Sequence, residues 1–158
     1  MPIAPSPNLP TQHSIYLYPS TCLFEGTVCS LGRGTEAPFE IYGHPNYKGG
    51  AFEFTPRSVD GAKNPPLKDQ KCYGVDLRGI EDEAIFAAGF NLEYVIDAYR
   101  NLNMGDKFFT SFFNLLIGTN KVKKMIIEGK SAEEIRATWQ EDVEKFKKQR
   151  KPYLIYEL

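Results

Sequence analysis

Residues 91–105 read NLEYVIDAYRNLNMG, and their apolar spacing decides how the second half of the chain folds. Leu92, Val95, Ile96, Tyr99 and Leu102 recur every three or four positions and share one helical face. Asn91 is placed to cap the start and Gly105 to end it. The same period continues downstream. TSFFNLLIGTN (110–120) and KVKKMIIEG (121–129) read as two shorter helices, the second capped by Asn120 and stopped at Gly129. SAEE (131–134) is a capping-box pattern, opening a helix with Ile135, Trp139, Val143 and Phe146 on one stripe and Pro152 at its end. YLIYEL (153–158) reads as a closing strand.

Upstream of residue 91 the period is two. SIYLYP (14–19) reads as extended chain ended by Pro19. PFEIYG (38–43) sets Phe39 and Ile41 against Glu40 and Tyr42, and AFEFTP (51–56) does the same with Phe52 and Phe54. KCYGVDLRG (71–79) is a further strand, with GHPNYKGG (43–50) and SVDGAKNPPLKDQ (58–70) as loops. The prediction is α+β: short strands and long loops first, several helices later, then a closing strand. Four of the eleven prolines fall within the first ten residues, so PIAPSPNLP is extended, polyproline-like chain. We therefore expect a proline-rich lead-in over 1–13 and one α+β domain over 14–158. A lead-in of this kind looks more like a connection entering a domain than a domain's beginning, so the chain reads as the tail of a longer protein.

Composition removes several function classes. A formal net charge of −1 offers no electrostatic attraction to nucleic acid or anionic membrane. Three cysteines without a CxxC pair and two isolated histidines argue against a disulfide framework and against a metal site. No apolar run is long enough to span a bilayer, and MPIAPSPNLP lacks the charged and apolar regions of a signal peptide. No cofactor fingerprint is present either. GRGT lacks the GK[ST] ending of a phosphate loop and the strand–helix setting of a dinucleotide motif. The basic run KFKKQRK (145–151) alternates with Glu141, Asp142 and Glu144 on its helix and reads as a solvated face.

The candidate chemistry sits in CLFEGTVCSLGRGTEAP (22–38). Glu25, between an apolar run and a glycine, is in the shielded kind of setting where carboxyl groups take on proton transfer; the bland alternative is a loop glutamate paired with a lysine. Arg33 stands between Gly32 and Gly34, whose backbone can approach a ligand closely while the guanidinium grips a carboxylate or phosphate. The alternative there is a tight turn with a solvated arginine. Thr27 and Thr35 add hydroxyls. Asp76 and Arg78 in GVDLRG could orient a ligand or form a strand-end ion pair, and His44 among Tyr42 and Tyr47 is a ligand contact or a loop histidine.

In order along the chain, PSPNLP, YLYPSTCLFEGT, SLGRGTEAPFE, YGHP, CYGVDLRG and KPYLIYEL resemble the C-terminal portion of the exo-β-N-acetylmuramidases, glycoside hydrolases long grouped only as a domain of unknown function. PST-C-x-x-EGT and GRGT-x-x-PF are specific to that resemblance. It implies a role in removing terminal N-acetylmuramic acid from peptidoglycan fragments, in bacterial cell-wall recycling, at a periplasmic or extracellular location. It also implies a partner: an N-terminal Rossmann-like domain of the same protein, with the site in the cleft between the two. Alone, this domain is expected to be inactive. Glu25 would be catalytic or bind sugar hydroxyls, with Arg33, Gly34, Thr35, Thr27, His44 and Asp76 as substrate-binding candidates and no metal or cofactor. The competing expectations are a non-catalytic carbohydrate-binding module and a structural domain whose glycine loop is only a turn.

Overall fold

The computed structural model describes residues 3–156. It departs from the sequence reading at the outset, because SIYLYP lies inside a helix, α1 (Gln12–Thr21). Thr11 explains the start. Its hydroxyl accepts from the Ser14 N–H at 2.9 Å, and the Ser14 hydroxyl pairs back with the Thr11 N–H, closing a capping box without the usual glutamate. Ser14, Leu17 and Thr21 are buried on one helical face, while Tyr16 packs on Phe86. The helix runs on into a 3-10 turn over Cys22–Gly26.

The sheet has three antiparallel strands, β1 (Ile41–His44), β2 (Phe52–Phe54) and β3 (Cys72–Asp76), in the order β1-β3-β2. Gly74 lies at its centre, opposite Gly43 on one side and Phe52 on the other. A Cβ on Gly74 would stand 1.9 Å from the Tyr42 carbonyl oxygen, and one on Gly50 would stand 2.5 Å from the Gly74 nitrogen. Missing side chains here let the 43–50 loop close onto the sheet. The expected half-buried alternation at 38–43 does not hold, since Phe39, Glu40, Ile41 and Tyr42 are all buried. Both faces of that segment are covered.

Six helices follow: α2 (Asp82–Ala88), α3 (Glu93–Leu102), α4 (Phe113–Ile117), α5 (Lys121–Ile127), α6 (Ala132–Ala137) and α7 (Gln140–Arg150). The α3 stripe is as read, with Leu92, Val95 and Ile96 buried and the Asn91 side chain accepting from the Glu93 N–H at 2.9 Å. The helix ends at Asn103 in the left-handed region, two positions before the expected glycine. At α5 the Thr119 hydroxyl, rather than Asn120, accepts from the Lys121 N–H. The α6 capping box forms between Ser131 and Glu134. The long helix expected beyond it is broken at Thr138 and Trp139, where the Thr138 hydroxyl donates to the Ile135 carbonyl at 2.7 Å. Ile135 stays buried and Trp139 packs by Phe90, but Val143 and Phe146 are exposed.

The closing strand is not formed over its described part. Lys151–Tyr153 is a 3-10 turn containing Pro152, and residues 154–156 pair with neither edge of the sheet. Residues 157 and 158 lie outside the described residues. The architecture is α+β. Its core joins α1, the Cys22–Gly26 turn, α3, a further 3-10 turn over Gly105–Phe108 and α4 through Leu17, Leu23, Phe24, Ile96, Phe108 and Phe113, with Phe24 stacked 4.5 Å from Tyr42. The proline-rich lead-in packs on this body: the Asn8 amide donates to the Gly61 carbonyl at 2.8 Å and Leu9 joins the core's edge.

Candidate functional site

Two backbone features present the charged pair. The 3-10 turn carries Glu25 as its fourth residue, and the following loop bends through Gly32 and Gly34, at φ 82° and 83°, to present Arg33. Those angles lie in the left-handed region that β-carbons disfavour, so glycine is needed on both sides. Arg33 Nη1 donates to Glu25 Oε1 at 3.2 Å, with the side chains 35% and 26% exposed. The Arg33 Nε is buried without a partner.

The pair opens into a cavity of about 250 Å³ lined also by Ser6, Asn8, Leu9, Tyr18 and Phe39. Phe39 adopts φ 65°, an outlier for a bulky side chain. It is held there by burial and by its N–H donating to the Leu31 carbonyl at 2.8 Å. Its ring lies 5.0 Å from that of Tyr18. Burial, then the nearby Cys22 and Glu25, push the Tyr18 phenol above its ordinary value, so it stays a neutral donor at neutral pH. The cavity thus combines an acid, a guanidinium, an amide, two hydroxyls and two aromatic rings. That set suits a small, hydroxyl-rich molecule bearing an anionic group.

Other candidates fall elsewhere. The Thr35 hydroxyl is spent in the turn, donating to the Gly32 carbonyl at 2.7 Å and accepting from the Ala37 N–H at 3.1 Å. Gly34 accepts from the Arg57 N–H at 2.8 Å, and with Thr35 it lines a separate cleft of about 440 Å³ floored by Ile41, Phe52 and Phe54. Thr27 is buried, its hydroxyl donating to Phe24 and accepting from the Cys29 N–H. Asp76 holds Arg78 through two bonds of 2.9 and 2.6 Å, and that pairing keeps its carboxyl below the usual range. His44 caps its own loop, Nδ1 accepting from the Asn46 N–H at 3.1 Å, and burial lowers its proton affinity. Neither Asp76 nor His44 lines either cavity.

Ser6, Asn8, Leu9, Tyr18 and Phe39 are the lining residues that sequence reasoning missed. Tyr18 was hidden in a segment whose alternation mimics a strand, and Asn8 in a proline-rich run read only as a connection. Among the described residues no group of three or more His, Cys, Asp or Glu could hold a metal ion, and no helix is long and apolar enough to cross a membrane.

Comparison with known proteins bears on this geometry. A family model described as exo-beta-N-acetylmuramidase NamZ, C-terminal, matches residues 16–156. The peptidoglycan beta-N-acetylmuramidase NamZ of Bacillus subtilis (strain 168) is 34% identical over 167 residues, covering 98% of this chain and 40% of the relative. The crystal structure of a DUF1343 family protein from Bacteroides fragilis NCTC 9343 superposes with a TM-score of 0.97 at 63% identity, covering 99% of this chain and 44% of that one. The chain therefore spans about two fifths of the length of the relatives it matches.

Proposed function

The chain belongs to the C-terminal family of exo-β-N-acetylmuramidases, and on that footing we propose that it is the substrate-binding part of an enzyme that removes terminal N-acetylmuramic acid from peptidoglycan fragments. Muramic acid differs from glucosamine by a lactyl ether bearing a carboxylate, so a site selective for it needs a cation. Arg33 is that cation, its planar fork matching the lactyl carboxylate. Glu25 accepts from sugar hydroxyls or assists proton transfer, and Tyr18 offers a ring face and a hydroxyl to the sugar. Glycoside hydrolysis needs two suitably spaced carboxyl groups or a substitute for one. The cavity is lined by a single carboxylate, so a companion domain supplies the rest and the 158-residue chain alone turns over no muramic acid glycoside. The observation that carries this reading is the Glu25–Arg33 pair opening into a cavity with Tyr18 and Asn8.

The test compares kcat/KM for muramic acid and N-acetylglucosamine glycosides in a full-length enzyme carrying this chain. Arg33→Ala should cost about 2–3 kcal/mol on the muramic acid substrate, the scale of a charge-assisted bidentate contact, and far less on the glucosaminide. Arg33→Lys should recover part of the loss. Equal losses on both sugars would favour a second reading, in which the bond from Arg33 to Glu25 is a structural ion pair that only shapes the loop.

A further inference from the structure

The cleft of about 440 Å³ beside Gly34 and Thr35 takes no part in the function proposed above, yet it has the form of a ligand site. Its floor follows from strand register. Phe52, Phe54 and Ile41 stand opposite Gly74, Cys72 and Asp76, alternate residues of β3, so all three project from one face of the sheet. The Phe54 ring lies across Gly43, where a Cβ would stand 2.9 Å from it. One wall is drawn in by Gly34. Its carbonyl accepts from the Arg57 N–H at 2.8 Å, and a Cβ there would stand 2.4 Å from the Arg57 carbonyl oxygen.

Two exposed guanidinium groups, Arg57 and Arg78, stand on the lining, and each is held from one side. Arg57 Nη1 donates to Asp69 at 3.0 Å. Asp69 is held at φ 62° beside Leu67 at φ 57°, an outlier for leucine, and strain of this kind gathers where a ligand is clamped. Asp76 takes Nε and Nη2 of Arg78, whose guanidinium also lies 5.2 Å from the centre of the Phe52 ring. The carboxylates thus orient both forks, and no described residue accepts from Arg57 Nη2 or Arg78 Nη1. Glu36 is exposed on the same lining and pairs with no cation among the described residues. Free donors for a carboxylate, an acceptor for an amide N–H and an apolar bed are together what the last residue of a peptide presents. We propose that this cleft binds the carboxyl-terminal residue of a peptide. Its carboxylate is taken by Arg57 and Arg78, its N–H by Glu36, and its apolar side chain lies on Phe52 and Phe54. A simple apolar acid would use the arginines, but the Glu36 charge would only repel it. The inference goes beyond the muramic acid reading and stands without it.

The test is an NMR titration of backbone amides in the 158-residue chain with acetyl-Ala-Val, acetyl-Ala-Val-amide and isovalerate. Acetyl-Ala-Val should shift the signals of Thr35, Phe52 and Thr55, with a Kd in roughly the millimolar range. The amide form, which lacks the carboxylate, should bind about tenfold more weakly, and so should the acid form to Arg57→Gln or Arg78→Gln. Isovalerate should be weaker than the peptide acid. Both arginines are exposed, so signals away from the cleft should stay in place in the variants, and the acid–amide comparison is made in the unaltered chain. No shift at these positions up to about 20 mM, equal binding of acid and amide, or an affinity unmoved by both substitutions would overturn the proposal. Isovalerate binding as tightly as the peptide would overturn it too, by making a simple acid the ligand. Because no sugar is present, the assignment of Arg33 can fail while this stands, and the reverse.

Discussion

Replacing Glu25 by Gln separates a ligand-reading pair from a structural one. At the observed 3.2 Å, two unit charges in an effective dielectric of about 20 attract by roughly 5 kcal/mol. That gross figure is not a stability contribution. Both side chains are about a third exposed, so solvent screening, lost rotamer freedom and desolvation remove most of it, leaving about 0–1 kcal/mol. Gln is nearly isosteric and can still accept from the Arg33 guanidinium, which lowers the expected cost further. Arg33→Met should be close to neutral as well, because it also removes the buried Nε that has no partner. The assay is urea unfolding of the 158-residue chain at low and high salt. We expect a loss of under about 1 kcal/mol for either variant, mostly gone in 1 M salt, beside a drop of tenfold or more in muramic acid kcat/KM in the full-length enzyme. A stability loss above about 2 kcal/mol, with sugar discrimination untouched, would refute the reasoning and make the pair a structural clamp.

Gly74→Ala should be severe, because its Cβ would sit 1.9 Å from the Tyr42 carbonyl oxygen and 2.6 Å from the Gly43 Cα, backbone atoms that cannot swing aside. We expect at least about 3 kcal/mol of destabilisation in thermal or urea unfolding, and a shift of only a degree or two would contradict the close approach. His13 bonds Asp82 at 2.8 Å and the Leu77 carbonyl at 3.2 Å; burial pulls its proton affinity down, but these bonds and the charges of Glu40 and Asp82 raise it overall. Its contribution is therefore full below the ordinary histidine value of about 6.5 and fades as pH rises through the higher folded value. The stability gap between wild type and His13→Gln should be widest near pH 5–6 and close toward pH 9, and a gap independent of pH would count against the assignment. Cys29 and Cys72 are buried, their thiols pushed up to about 12 and about 11, while Cys22 is only partly covered. Ellman's reagent at pH 8 should titrate one thiol per native chain and three after denaturation, and rapid reaction of two native thiols would show the core to be looser than described.

The helices at 93–102 and 121–127 and the capping box at 131–134 were legible because each announces itself locally, through a 3.6-residue period or a cap within four positions. The three strands were legible as short segments bounded by proline and glycine, although the alternation expected over 38–43 is absent because both faces there are covered. Where reading failed, a local signal was ambiguous or absent. SIYLYP alternates like a strand yet is helical, because a six-residue window cannot separate the two periods and burial of Ser14, Leu17 and Thr21 decides for the helix. The stripe from Ile135 to Phe146 is continuous in sequence, but the helix breaks at Trp139 and leaves Val143 and Phe146 exposed.

Sequence alone therefore determined the class of fold, most of its elements and the glycine-bounded loop that makes Arg33 conspicuous, since propensity, capping and glycine's backbone freedom act over a few residues. Tertiary structure decided what those residues do together. It set Arg33 against Glu25, folded Thr35 and Thr27 into the turns that shape the loop, and turned Asp76 toward Arg78 and away from the cavity. It also brought Asn8, Tyr18 and Phe39 from three separate segments to line the cavity around the pair. Such a constellation depends on side chains distant in sequence meeting across a packed core, and packing is a property of the whole chain that no short window carries.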